Sequence, residues 1–159
     1  MDRSTKNPVV VLKSRKDKTL LPIWIGVLEA SSIVFAIHNT PFERPLTHDL
    51  FRDFLEQASM VVEEVMISDL LDDTYHARIV FSSCSSRFEL DARPSDAIAM
   101  AVRFKAPIYA MQEVLEKSKR SSGEEEGEPS EIADTSREGK KWADYLNSLD
   151  PDDFGKYKV

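Results

Sequence analysis

The sequence predicts an α+β protein: a mixed, largely antiparallel sheet with helices packed on it, in a single domain followed by a C-terminal tail. Three observations carry that expectation. Residues 61–68, 74–82 and 87–93 read as consecutive strands with only short turns between them, a spacing that favours antiparallel pairing. Residues 28–38 and 47–58 carry the apolar content and spacing of helices. After residue 117 the composition shifts to Ser, Glu, Gly and Pro, which cannot build a core.

Taken in order, residues 8–12 and 19–25 are strands joined by the charged turn 14–18, and Gly26 ends the second. Residues 28–38 are apolar nearly all round, so a buried helix is expected, with one carboxylate, Glu29, in its first turn. Residues 40–45 form a loop. Thr47 is placed to cap an amphipathic helix whose core stripe is Leu50, Phe51, Phe54, Leu55 and Ala58, with Asp49, Arg52, Asp53 and Glu56 outside. The strands 61–68 and 74–82 turn at Leu71-Asp72-Asp73. In the next hairpin the polar faces are even on one strand (Thr74, His76, Arg78) and odd on the other (Glu89, Asp91), so opposed residue numbers have an odd sum. A sum of 167, setting Arg78 against Glu89 and His76 against Asp91, is preferred to 169, which sets His76 against Arg93. A helix from Asp96, a strand at 107–111 and a helix at 112–117 complete the domain. Strand, turn and helix recur weakly at 23–38 and 88–104, each time with an acidic residue in the first helical turn. Trp24, at a strand position, reads as a core residue rather than a platform for a stacked base.

The expected organisation is a domain over 1–117, an acidic disordered linker over 118–139 and a short amphipathic docking segment over 140–159. In the last, Trp142, Tyr145, Leu146 and Leu149 fall at i, i+3, i+4 and i+7, and Phe154 and Tyr157 add apolar area. Such a stripe docks on its own domain, a sister subunit or another protein. Charge is unevenly placed: residues 1–120 hold 16 Lys+Arg against 17 Asp+Glu, and residues 121–159 hold 5 against 11, within a net charge of −7. That balance gives no support for tight, nonspecific duplex binding, though it leaves room for a local Arg cluster. A single cysteine, Cys84, forbids an intrachain disulfide and fits a reducing compartment. No apolar run reaches the roughly 18 residues of a membrane span and no signal-peptide core is present, so a cytoplasmic location is expected.

Chemistry-bearing residues crowd one junction, Asp91-Ala92-Arg93-Pro94-Ser95-Asp96-Ala97. In 87–93 the odd positions are charged and the even ones apolar, the signature of a half-buried strand. Pro94 then fixes its own φ and extends Arg93, Ser95 is suited to cap a helix, and Asp96 falls in the first turn, where the dipole favours a carboxylate. Asp96 and Arg103 are seven residues apart and share a helix face. Asp91 and Asp96 offer hard oxygen ligands for Mg²⁺ or Mn²⁺, or an acid and base for phosphodiester cleavage; equally, they suit an Arg pair and a helix N-terminus. Arg93, Arg103 and Arg44 suit a bidentate grip on phosphate, or neutralisation of Glu29, Asp91 and Asp96 in a buried network. Glu29, on an otherwise apolar helix, needs a partner in that network or at a subunit interface. His48 is a candidate general base or a first-turn residue, whereas His38 and His76 read as a helix-dipole partner and a solvated or cross-strand residue. HExxH, CxxC and Gly-rich phosphate-loop patterns are absent.

Four ordered motifs over residues 7–117 make the chain resemble the bifunctional nuclease domain family. They are Leu21-Pro22-Ile23-Trp24-Ile25-Gly26 with Glu29-Ala30, then Arg44-Pro45-Leu46-Thr47-His48-Asp49-Leu50, then Asp91 to Ala97, and finally Arg103 with Ala106-Pro107-Ile108. The resemblance implies an α+β domain, usually a homo-oligomer, with nuclease activity on RNA and DNA. Family members usually carry a further strand before the position of Asn7, so this start is either truncated or builds its sheet edge differently. On that basis Asp91 and Asp96 form an acidic centre, Arg93 and Arg103 clamp phosphate, and His48 is an auxiliary base. The competing expectation is a non-enzymatic oligomeric module that binds a small anionic ligand and recruits a partner through its tail.

Overall fold

The computed structural model describes residues 8–121 and contains six strands and four helices among them. A hairpin of β1 (Val9–Lys13) and β2 (Leu20–Trp24) leads to α1 (Val27–His38) and α2 (Thr47–Gln57). Then come β3 (Val61–Leu71), β4 (Thr74–Ser82), β5 (Arg87–Ala92), α3 (Pro94–Phe104), β6 (Ile108–Ala110) and α4 (Gln112–Ser121). The main sheet has the order β5-β4-β3-β6, antiparallel except where β6 runs parallel to β3, and β1-β2 is a separate antiparallel pair. The expected mixed, largely antiparallel α+β architecture is therefore what the chain adopts.

Turn chemistry explains the β3-β4 hairpin. Leu71 pairs with Thr74 across a two-residue loop, and both loop residues, Asp72 and Asp73, have positive φ (46° and 58°). That combination belongs to a type I′ turn, whose twist matches its strands and which Asp tolerates better than most residues. The β4-β5 register differs from the preferred expectation. Arg78 faces Asp91 and Ser82 faces Arg87, so opposed numbers sum to 169 rather than 167. The turn decides it: the Ser83 amide donates to the Ser86 carbonyl at 2.8 Å, closing the loop on the Ser82-Arg87 pair. Arg78 still reaches Glu89 diagonally at 3.6 Å.

The core lies between the sheet and α3. Ala97, Ala99 and Ala101 of α3 are buried with Ile98 and Met100, against Val65 and Ile67 of β3 and Ala77, Ile79 and Phe81 of β4. Three alanines keep the helix surface low, so backbones approach closely and the helix start is fixed relative to the sheet. Both helix-starting residues differ from the expected caps. Arg93 caps α3, with Pro94 at its first position and Ser95 buried inside it, and Leu46 caps α2, with Thr47 already helical. A proline at the first helical position needs no amide partner and starts the helix one residue earlier than a serine cap would.

Two apolar faces are more exposed than their patterns suggested. On α1, Ile33 and Phe35 are buried, but Leu28 is 79% exposed and Ile37 is also outside. On α2 only Leu55 of the expected stripe is buried; Phe54 is 63% exposed, and Leu50 and Phe51 lie at the surface. Phe51 meets buried Phe81 edge-on, and Phe81 stacks on exposed Phe88 of the edge strand β5, so the aromatic residues continue from the core to the surface. Helix α4 runs to Ser121, four residues beyond the expected Lys117, and Val114 and Ser118 are buried along it. The rest of the expected linker and the expected docking segment 140–159 lie outside the described residues.

Candidate active site

Two helix starts converge on one guanidinium. Glu29 is the third residue of α1 and Asp96 the third of α3, and the weak repeat in the sequence thus becomes a pair of facing carboxylates. Arg93 lies between them. Its Nε and one Nη donate to the two oxygens of Asp96 at 2.6 and 3.1 Å, and the other Nη donates to Glu29 at 3.0 Å. Of the five guanidinium N–H groups these bonds use three, so two remain for an incoming acceptor. Arg93 is 65% exposed, within reach of such an acceptor. Gly26 makes room for the arrangement: a β-carbon there would collide with the Glu29 carboxylate, folded back over the start of α1.

His48, near the start of α2, bridges to α1 and α3. Its Nε2 lies 3.1 Å from Asp96 Oδ1 and its Nδ1 lies 2.8 Å from the Ser32 hydroxyl. An ionised carboxylate only accepts, so Nε2 carries the proton, and Nδ1 of the neutral ring then accepts from the Ser32 O–H. Ser32 is held from behind by Arg103. Its hydroxyl oxygen accepts from an Arg103 Nη at 3.4 Å and its carbonyl from the other Nη at 3.2 Å. The proton order is therefore consistent along the line Arg103, Ser32, His48, Asp96. Burial pushes the Asp96 carboxyl up, but hydrogen bonds from Arg93 and His48, with the charge of Arg93, outweigh it and hold Asp96 below the usual carboxylate range. The Asp96 carboxylate beside it likewise raises the pKa of Arg93, so the pair is ionised at neutral pH.

These residues open into a cavity of about 410 Å³ walled by Glu29, Ser32, Thr47, His48, Arg93 and Asp96, with Leu28 and Phe35 as apolar sides. Four sequence candidates, Glu29, His48, Arg93 and Asp96, thus meet in one place. Three others are elsewhere. Asp91 sits on β5 opposite Arg78 and is exposed, while its neighbour Ala92 packs on the core, so the expected pairing of Asp91 with Asp96 does not form. Strand alternation is the reason, since Asp91 points to the face away from the core. Arg103 has a side chain only 3% exposed and pairs with Asp49 at 2.7 Å, not with Asp96, which places it as a support behind the site. Arg44 lines a separate hollow of about 400 Å³ with Asn39, Arg52 and Lys105. Ser32, inside a helix, carries no sequence signature and was not anticipated; only the fold brings it to His48.

Among the described residues no group of three or more His, Cys, Asp or Glu side chains is gathered to hold a metal ion. Glu29 and Asp96 are nonetheless hard oxygen donors facing one cavity, and they outnumber the single guanidinium between them. Both Asp96 oxygens and one Glu29 oxygen are already engaged by Arg93 and His48.

Among the described residues no helix is long and apolar enough to cross a membrane. The model of the bifunctional nuclease domain matches residues 10–122, the described fold with its site. An uncharacterised protein of Mycobacterium tuberculosis strain H37Rv is 34% identical over 154 residues, 97% of this chain and 92% of that protein. Bifunctional nuclease 2 of rice, Oryza sativa subsp. japonica, is 30% identical over 66% of this chain, and bifunctional nuclease 1 of Arabidopsis thaliana 33% identical over 64%. The chain spans only about a third of each plant protein, 34% and 33%. With the domain match covering most of its length and all four motifs, this chain belongs to the bifunctional nuclease domain family.

Proposed function

We propose that this protein is a nuclease that hydrolyses phosphodiester bonds in RNA and DNA at the cavity between the starts of α1, α2 and α3. The observation that carries the reading is the continuous line from Ser32 through His48 to Asp96, with Arg93 beside it. Both nitrogens of His48 are engaged, so the proton it is placed to take is that of the Ser32 hydroxyl. In the proposed first step that proton passes to Nδ1, the Ser32 oxygen bonds to phosphorus, and the bond to the leaving sugar oxygen breaks. The leaving oxygen takes the proton back from His48. Water, deprotonated by His48, then attacks phosphorus, the bond to the Ser32 oxygen breaks, and that oxygen takes the proton from His48, which frees the enzyme. Asp96 holds the ring and stabilises the imidazolium, and the two spare N–H groups of Arg93 bind the non-bridging phosphate oxygens.

Two carboxylates against one guanidinium leave the cavity with surplus negative charge, which opposes an entering phosphate. Mg²⁺ or Mn²⁺ held by Glu29 and Asp96 would supply the neutralising charge. The exposed apolar residues of α1, α2 and β5 support self-association of the domain, with a homo-oligomer as the working form. A non-enzymatic module that binds a small anion would use the same Arg93 without needing His48 or Ser32.

The test is cleavage of end-labelled single-stranded RNA and DNA, with and without Mg²⁺ or Mn²⁺, by wild type, His48→Asn and Asp96→Asn. Loss of a positioned acid-base group lowers the rate by about 10²–10⁴-fold. Equal cleavage by all three folded proteins would overturn the reading, and anion binding without any cleavage would establish the module instead.

A further inference from the structure

Trp24 ends β2 and is 50% exposed, although its place in Ile23-Trp24-Ile25 suggests core. Both neighbours are buried, so strand alternation turns the largest side chain of the segment outward. It does not face open solvent alone. Trp24 walls a second cavity of about 360 Å³ with Tyr75, Thr74, Asp73, Glu29 and Arg93. Glu29 and Arg93 also wall the cavity that holds His48 and Asp96, so the two hollows meet at the residue proposed to bind phosphate. Its size falls in the range of small-ligand pockets, roughly 300–1,000 Å³. The lining combines aromatic and polar residues: Asp73 and Thr74 stand at the β3-β4 turn, and Tyr75 is fixed by donating its hydroxyl to Ser118 at 2.8 Å.

We infer that this second cavity is a nucleobase subsite, in which Trp24 stacks on the base next to the phosphate bound by Arg93. The inference rests on the phosphodiesterase reading of the adjoining cavity. Stacking on an indole suits any base, since each has a π face, and it requires the base to be turned out of a duplex. The site therefore selects unpaired strands. It also supplies affinity that the chain's acidic balance does not: the net charge of −7 opposes a polyanion at long range, and stacking is insensitive to that field.

The test uses full-length protein carrying Trp142→Phe, which leaves Trp24 as the single indole of the two in the sequence. In EDTA, a single-stranded hexanucleotide should quench Trp24 emission, and an abasic sugar-phosphate strand of equal length should not. On the wild-type background, Trp24→Ala should weaken binding of the base-bearing strand about tenfold, equivalent to about 1.4 kcal/mol, and leave the abasic strand unchanged. Trp24→Phe, which keeps a ring, should restore most of the loss, and unchanged melting temperatures would show that both variants fold. Equal loss for both strands, or emission that follows protein concentration and not oligonucleotide, would overturn the subsite; the latter would mean that a second copy covers Trp24. If wild type binds base-bearing and abasic strands equally, the base subsite fails while phosphate binding stands. Binding of neither strand, in EDTA and again with Ca²⁺ in place of Mg²⁺, would overturn the subsite and the nuclease reading together.

Discussion

Replacing Arg103 with alanine removes a charge that is almost fully enclosed. The side chain is 3% exposed and donates to Asp49 at 2.7 Å, to the Ser32 and Ala99 carbonyls at 3.2 and 3.1 Å, and to the Ser32 hydroxyl at 3.4 Å. Removing one partner of a buried pair leaves the other unpaired and costs about 3–5 kcal/mol. Asp49 keeps 22% exposure, so water recovers part of that loss, and the Ala99 carbonyl lies inside a helix, where a backbone donor already serves it. The lower end of the range, about 3 kcal/mol, is the expected destabilisation. Urea unfolding at neutral pH measures it: with a slope near 1.5 kcal/mol per molar, the midpoint falls by about 2 M. Adding Asp49→Ala removes the stranded carboxylate, so the double variant should lose less than the sum of the single losses. Ser32 also loses its rear support, so cleavage by the folded fraction should fall with it. A loss below about 0.5 kcal/mol, the scale of an ordinary surface substitution, would refute the enclosed network.

Asp91→Asn should leave cleavage within about twofold of wild type, whereas Asp96→Asn should lose two or more orders of magnitude; a reversed order in the same gel assay would restore Asp91 to the site. Glu29→Gln should raise the Mg²⁺ concentration giving half-maximal rate about tenfold, read from a metal titration, because one of two oxygen donors loses its charge; an unchanged titration would separate Glu29 from any ion. The folded-state pKa of Asp96 is depressed, so its stabilising contribution is present above the unfolded value, 3.8, and is lost as pH falls through the lower folded value. Between pH 5 and pH 3, wild type should therefore lose more stability than Asp96→Asn, as urea midpoints at the two values would show, and parallel losses would contradict the sign.

The start of α3 was legible because Pro94 and the change from period two to helical spacing are local events written in adjacent residues. Glu29 stood out in the same way, as one charge on an apolar helix. The pairing of partners was not legible. Arg103 shares a helix face with Asp96 but bonds to Asp49 on α2, because packing of α2 against α3 brings that carboxylate closer than any on its own helix. The β4-β5 register was set by the Ser83-Ser86 turn, whose hydrogen bonds no cross-strand pairing preference contains. Ser32 lay beyond sequence reasoning altogether, since a serine inside a helix acquires its partner only when the start of α2 sets His48 against α1. Apolar spacing placed Phe54 and Leu28 correctly on helices but could not tell a core face from a surface the domain leaves uncovered.

In the proposed reaction Ser32 is the group that attacks phosphorus, and intact-protein mass spectrometry of an acid-quenched reaction with single-stranded oligonucleotide reads that step itself. Wild type should yield a nucleotide adduct mapped to Ser32, and Ser32→Ala no adduct and cleavage lowered by at least about 10²-fold. Cleavage by folded Ser32→Ala at the wild-type rate, with no adduct in either protein, would contradict it.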